Sequence, residues 1–465
     1  MCSTRWKCWR ARCAHDGPVI SIVGAGPTGA LLALLLQRRG PLKVDLYEAR
    51  PDPRGAPDTS GRSINLALAD RGIHALKVAG VFENLGSALL PMRGRLIHHE
   101  SGETTFQPYG QRPSEVNYSV SRQRLNQTLL DVAAQHGDIR LHFEHRFEAA
   151  DFTAGTAQVR DLKSDRVLTV PMQPLLACDG AGSAVRRCMS ALKLIEASET
   201  DLQHGYKELS IPAGASGGFR LAQDALHIWP RGDYMLIALP NSDGSFTATL
   251  FLPKHGPVSF ESLQAPAHID RFLSLSFPDA RKHMPDCVTE FIAHPVGFLG
   301  TVSASPWHSS GMAALIGDSA HAMVPFHGQG LNCCFEDCIE FAACIARHPT
   351  WEAAFADFGA ARKPNTDAIS TMALENYLEM RDTVADRKFQ LQQALSLELE
   401  RRFPRRFIPR YSMVMFHHEI PYRVAQLRGA TQGEILSSLT AGAVTLGDID
   451  FGRAEREINA RLSIV

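Results

Sequence analysis

Val19-Ile20-Ser21-Ile22-Val23 runs into Gly24-Ala25-Gly26-Pro27-Thr28-Gly29 and then into the apolar stretch Ala30–Gln37. A β-branched run, a glycine-rich turn and an apolar helix read as the opening of a βαβ unit, whose second strand is Lys43–Tyr47, ending in Glu48. The turn matches G-x-G-x-x-G, and its place after a strand, before a helix and upstream of an acid-terminated strand gives it weight. Gly24 permits the tight turn, Gly26 lets a pyrophosphate approach the backbone, and Gly29 lets helix and strand pack closely. The helix N-terminus then offers unpaired N–H groups to the phosphates. Glu48 is placed to accept hydrogen bonds from ribose hydroxyls, and its charge repels a 2′-phosphate, so the site prefers FAD or NAD to NADP. A bare βα turn without ligand is the competing structural reading.

Further along, Cys178-Asp179-Gly180 follows the apolar run Leu175–Cys178, and Gly317-Asp318 follows Met312–Ile316. Val324-Pro325-Phe326-His327-Gly328-Gln329-Gly330-Leu331-Asn332 then leads into a helix expected from about Gly330 to Ala346. Each Asp-Gly or Gly-Asp pair alone is ordinary turn chemistry; their order, each after a strand, points to a second and third contact on one cofactor. From Leu202 to Leu252 the runs LHIWP, YMLIALP and FTATLF alternate with turn clusters, the texture of an antiparallel sheet. Beyond Arg362 the chain reads as helical and charged. The fold class is therefore α/β: a Rossmann-like domain, which its resemblance to known flavoproteins makes an FAD-binding domain, with an inserted antiparallel β-sheet substrate domain and a helical C-terminal region. The expected division is a disordered tail at 1–17, the FAD-binding domain at 18–200 and 306–365, the sheet domain at 201–305 and the helical domain at 366–465.

The 465 residues exceed one compact domain, and 45% hydrophobic with 21% charged residues fits a globular protein with large cores. A formal net charge of -1 gives no field favouring nucleic acid or anionic lipid. The longest purely apolar run, Ala30–Leu36, is too short to cross a bilayer. Residues 1–17, with Cys2, Cys8 and Cys13, carry neither an apolar signal segment nor zinc-ligand spacing. Cys333, Cys334, Cys338 and Cys344 share one helical stretch, where cysteine serves as a small apolar residue. A cytoplasmic, reduced protein is expected, with no metal and no covalent nucleophile; a homodimer is compatible with everything above.

The strand–Gly-Asp–loop–helix arrangement resembles the group A flavoprotein monooxygenases. Longer segments narrow the resemblance to the kynurenine 3-monooxygenase family: Gly61–Leu68 (GRSINLAL), Pro91–Arg95, Ser119–Arg122, Leu226–Arg231, Met235–Pro240 and Glu375–Arg381 (ENYLEMR). The resemblance implies hydroxylation of L-kynurenine at ring position 3. FAD would be bound, NADPH would act as a transient co-substrate without a Rossmann fold of its own, and O2 would react through a flavin C4a-hydroperoxide. It assigns Ala67, Arg122, Asp179, Asp318, Leu331 and Asn332 to the cofactor alongside Gly24, Gly26, Gly29 and Glu48. Arg95, Tyr109, Asn376 and Tyr411 fall to the substrate's amino-acid end. The bland alternatives are a solvated strand residue for Arg95 and a surface ion pair for Arg122. His327, beside the expected flavin ring, is assigned at most a supporting role in proton transfer, since animal members carry Phe there. Those members also carry a C-terminal membrane anchor, whereas here GDIDFGRAEREINARLSIV reads as an amphipathic helix. The helical region is expected to close over the substrate pocket, because Asn376 and Tyr411 lie in it. Competing functions are a group A enzyme acting on another aromatic, a flavin-binding protein without turnover, and an NAD dehydrogenase.

Overall fold

Val19–Val23 is a central strand of a six-stranded sheet in the computed structural model, which describes residues 19–38, 40, 42–55, 65–380 and 386–465. The order is His308–Ser309, Ala313–Leu315, Leu175–Ala177, Val19–Val23, Lys43–Glu48, Ile139–Phe143. All neighbours are parallel except the edge hairpin at 308–315. The chain moves from Val19–Val23 outward on one side through Lys43–Glu48, and later outward on the other through Leu175–Ala177. The point between Val19–Val23 and Leu175–Ala177 is thus the topological switch, where α/β sheets open a crevice beyond the strands' carboxyl ends. The helix Pro27–Gln37 is buried along nearly its whole length. It is apolar on all sides because helices Asp70–Ala79, Arg122–Ala134 and Gly330–Arg347 pack around it. The cysteines of Gly330–Arg347 are buried there, and no disulfide occurs among the described residues.

A second six-stranded sheet runs His204–Ile211, Phe246–Pro253, Tyr234–Pro240, Ala225–Arg231, Gly94–His98, Thr104–Pro108. Its last two strands come from the first part of the chain, and Gly94–His98 joins Ala225–Arg231 in parallel. The sheet is therefore mixed and extends beyond the 201–305 segment expected to supply it. The cause is long-range pairing, which hydropathy texture cannot report. Alternation sorts its two faces. Leu236, Ala238, Leu250 and Leu252 pack against helices Pro266–Ser276 and Cys287–Ala293. Ile237, Leu239, Thr249 and Phe251 face a cavity on the other side. A three-stranded meander, 145–171, had no counterpart in the expected elements. Beyond Arg362 the chain is helical as expected: Trp351–Leu378, Arg387–Arg402, Arg410–Phe416, Tyr422–Leu439 and Phe451–Arg461. No described helix is long and apolar enough to cross a membrane. The tail at 1–17 and the Gly61–Ile64 part of the GRSINLAL segment lie outside the described residues.

Candidate active site

The three glycines of the first turn are distinguished by what surrounds them. Gly24 has φ +100°, a conformation costly for other residues, and a Cβ there would overlap the Cys178 carbonyl. A Cβ on Gly29 would overlap the Gly24 carbonyl, so the helix can approach the strand only without it. Beside Gly26 there is nothing within 4 Å, leaving bare backbone facing open space. Glu48 is buried, its Oε2 accepting from Ala25 N at 3.0 Å. Its Oε1 accepts from Arg50 N at 3.0 Å and Arg50 Nε at 2.9 Å. The carboxylate thus stiffens the turn.

A cavity of about 340 Å³ leads from this turn to the second sheet. Pro27, Thr28, Ala67, Arg122, Asp318 and Leu331 line its nucleotide end. Gly330, the first residue of an 18-residue helix, also lines it, so that helix presents its N-terminus to the cavity. These groups fit a dinucleotide cofactor: an open glycine cradle, a helix N-terminus for phosphate, a second N-terminus for an electron-accepting ring, and Asp318 between them. The Gly317-Asp318 turn is held from below. Asp337, fully buried, accepts from Gly317 N at 3.2 Å, His321 Nε2 at 2.5 Å and Arg362 Nε at 2.7 Å.

Six of the ten expected cofactor residues do not line that cavity. Gly24, Gly26 and Gly29 belong to the turn that puts Pro27 and Thr28 in its wall, Glu48 is bonded to that turn, and Asp179 and Asn332 are turned to neighbouring backbone. Asp179 accepts from Ser183 Oγ at 2.6 Å and from Ala184 N and Val185 N at 2.7 and 3.2 Å. Its carboxylate thus satisfies the first two N–H groups of the helix Ala184–Ala191, whose N-cap is Ser183. Asn332, fully buried, donates to Ala67 O and Gly328 O, both at 2.8 Å, and accepts from Ala69 N at 2.8 Å. Its polar side chain is spent on pinning two cavity loops together. Arg186, which sequence reasoning passed over, spans both Asp turns: Nη2 donates to Ala181 O at 2.6 Å and Nη1 to Ser319 O at 3.0 Å.

The other end of the cavity is cationic and aromatic. Arg95, on strand Gly94–His98, is 6% exposed, and its Nε has no hydrogen-bond partner among the described residues. Its guanidinium carbon lies 5.1 Å from the Tyr411 ring centre and 6.0 Å from that of Tyr109. The two tyrosine rings stack at 5.4 Å, and His327 stacks on Tyr411 at 5.6 Å. Asn117, buried, donates to Tyr411 Oη at 3.2 Å. Glu379 stands 3.6 Å from Arg95 Nη1. Asn376 lines a second, larger cavity of about 660 Å³ that shares Arg95, Tyr109, His327 and Tyr411 with the first. Its Nδ2 donates to Phe326 O at 2.6 Å. Sequence reasoning missed Asn117 and Glu379; the spacing of Asn376 and Glu379, three apart on one helical face, is the signal that could have found the latter.

Burial sets the charge states. It raises both Tyr109 and Tyr411 above the ordinary phenol range, so both remain neutral hydroxyls at working pH. Arg95 stays cationic despite burial because the Glu379 carboxylate and the hydroxyl oxygen of Tyr411 face it. Burial, with Arg410, Arg95 and Arg71 nearby, lowers His327 to about 3. That ring is neutral near pH 7 and holds no proton to donate as imidazolium.

Residues 16–214 match the sequence profile of the FAD binding domain family. Kynurenine 3-monooxygenase of Stenotrophomonas maltophilia (strain K279a) is 47% identical, over 97% of this chain and 99% of its own length. The enzyme of that name from Myxococcus xanthus (strain DK1622) is 44% identical, over 96% and 95% respectively. Among solved structures, 2-methyl-3-hydroxypyridine-5-carboxylic acid oxygenase superposes with a TM-score of 0.64 at 18% identity, over 83% of this chain and 98% of that one. Tetracycline destructase Tet(55) superposes at 0.60 and 16% identity, over 82% and 96%. The two structures establish the fold they share with this chain; the two relatives, alike along almost their full length, establish that the chain belongs to the kynurenine 3-monooxygenase family.

Proposed function

We propose that this chain is an NADPH-dependent FAD monooxygenase that hydroxylates L-kynurenine at ring position 3. The observation that carries the reading is Arg95, a buried guanidinium with an unsatisfied Nε. It stands in the wall of a cavity whose other end is the glycine turn and the Asp318 helix. A buried cation without a full set of partners is costly, and an α-carboxylate between Arg95 and the neutral hydroxyls of Tyr109 and Tyr411 would satisfy it. Glu379 would then face the substrate's ammonium group, so that both charges of an amino acid are met and an uncharged analogue is disfavoured. Asn376 and Asn117 hold the backbone and Tyr411 in register around that end.

FAD, when bound, supplies the activation of O2, with electrons taken from NADPH. The chain's own contribution is placement. The apolar wall of Leu226, Ile237, Leu239, Phe251 and Phe326 excludes water and leaves the arylamine ring no strong polar partner. The aniline nitrogen already activates the ortho carbon, so holding that carbon near the flavin end is the main task. His327 acts here as a neutral, stacked ring and not as the supporting proton carrier considered from sequence. Asp179 and Asn332 serve the cofactor through the loops they hold. A cytoplasmic enzyme fits this reading, and sedimentation would decide between monomer and homodimer. The test is direct: L-kynurenine should accelerate NADPH-driven bleaching of the bound flavin and yield 3-hydroxykynurenine. A yellow protein indifferent to kynurenine but stimulated by another aromatic would replace the substrate; one that never oxidises NADPH would end the enzymatic reading.

A further inference from the structure

The helix Arg410–Phe416 carries Tyr411 but is only seven residues long. A helix so short has no independent stability, and its last carbonyls lack intrahelical partners. Those carbonyls converge on one side chain from a distant part of the chain. Arg71, 1% exposed, donates from Nε to Val414 O at 3.2 Å and from Nη2 to Met413 O at 3.4 Å. In the turn that follows, it reaches His417 O at 3.2 Å, His418 O at 3.3 Å and Ile420 O. Its guanidinium carbon lies 3.9 Å from the Tyr422 ring centre, which closes the remaining face. A planar, permanently charged fork at a helix C-terminus satisfies the orphan carbonyls and complements the negative end of the helix.

Arg71 is itself anchored toward the cofactor side. Its Nη1 pairs with Glu336 Oε1 at 2.7 Å, and Glu336 Oε2 pairs with Arg362 at 2.7 Å. Arg362 holds Asp337, the carboxylate beneath the Gly317-Asp318 turn. One run of paired charges, buried except at the half-buried Glu336, therefore joins the turn expected to hold the flavin to the helix expected to hold the substrate's carboxylate.

We infer that Arg71 is a positioning residue for substrate binding: it touches neither cavity, and it fixes Tyr411 opposite Arg95 by holding the C-terminal end of the helix Arg410–Phe416. The inference rests on the substrate reading for its kinetic consequence but not for its structural one, and the experiment separates the two. Arg71→Lys keeps the charge beside Glu336 and loses the planar set of donors; Arg71→Met loses both. In the full-length, flavin-loaded protein, amide exchange at 413–420 should quicken about tenfold in Arg71→Lys while 27–37 is unchanged, since several helix-end hydrogen bonds are lost locally. The KM for L-kynurenine should rise about tenfold or more with kcat within about twofold, because a misplaced Tyr411 weakens binding of substrate and transition state alike. If Arg71→Met does not fold, Arg71→Lys decides alone. Unchanged exchange at 413–420, or a fall in kcat at constant KM, would overturn the inference. A parent protein unresponsive to kynurenine would instead refute the substrate reading, and the exchange result would still decide the role of Arg71.

Discussion

Arg95 and His327 sit in the same cavity wall, and burial disfavours the charged form of both. Arg95 keeps its charge because Glu379 and the hydroxyl oxygen of Tyr411 face it, whereas His327 loses its charge to burial, with arginines as its charged neighbours. Arg95→Met should weaken L-kynurenine binding about 10- to 100-fold, the range for losing a charge-assisted hydrogen bond, while the flavin absorbance spectrum of the free protein is retained. A titration followed by flavin absorbance would check it. His327→Phe should leave the pH–rate profile between pH 6 and 8 unchanged, since a ring lowered to about 3 does not titrate there. Its effect on stability has a definite sign. The unfolded ring takes up a proton below about pH 6.5, and the folded one resists until about 3. The stabilisation it represents is therefore complete above pH 6.5 and lost as pH falls toward 3. At pH 5 the loss is roughly 2 kcal/mol, and His327→Phe should abolish that part of the acid sensitivity in urea unfolding at pH 7 and pH 5.

At the scale of elements, the glycine turn makes two opposite predictions from one motif. Gly29→Ala places a methyl group on the Gly24 carbonyl and should cost about 1–3 kcal/mol or prevent folding, seen as a lowered unfolding midpoint. Gly26→Ala meets no protein atom and should leave the apoprotein's midpoint unchanged, yet release FAD readily on gel filtration, because the methyl group fills the space left for phosphate. The strand, turn and helix around these glycines were legible in the sequence, since period and composition are local properties. Asp179 and Asn332 were legible as motif residues but not as to their work. Whether a side chain points into a cavity or spends its bonds on neighbouring backbone depends on partners such as Ala67, Gly328 and Ser183. Asn117 gave no signal, because its donor meets Tyr411 across 294 residues of chain.

For the whole molecule, the helices beyond Arg362 form one support under the substrate end. Gln432 donates to Ile408 O at 2.7 Å, Gly429 packs against Arg410, and Ala425 and Ile435 are buried. Cutting the chain after Arg423 should therefore weaken kynurenine binding even though every residue of the cradle remains, and FAD should stay bound. A truncated protein that retained full affinity would show that Tyr422–Leu439 does not support the pocket. By itself the sequence determined the nucleotide-binding βαβ unit, the order of its three glycine-containing turns, the helical character of the last hundred residues and the family, because each is written in neighbouring residues. Only the tertiary structure decided that Gly94–His98 joins a sheet built mostly from residues beyond 200, and that Glu379 meets Arg95. It alone decided that His327 is held neutral and that Arg71 reaches the end of the helix carrying Tyr411. Each of these depends on which distant atoms exclude water from a site or complete its hydrogen bonds, and no local pattern along a chain encodes that.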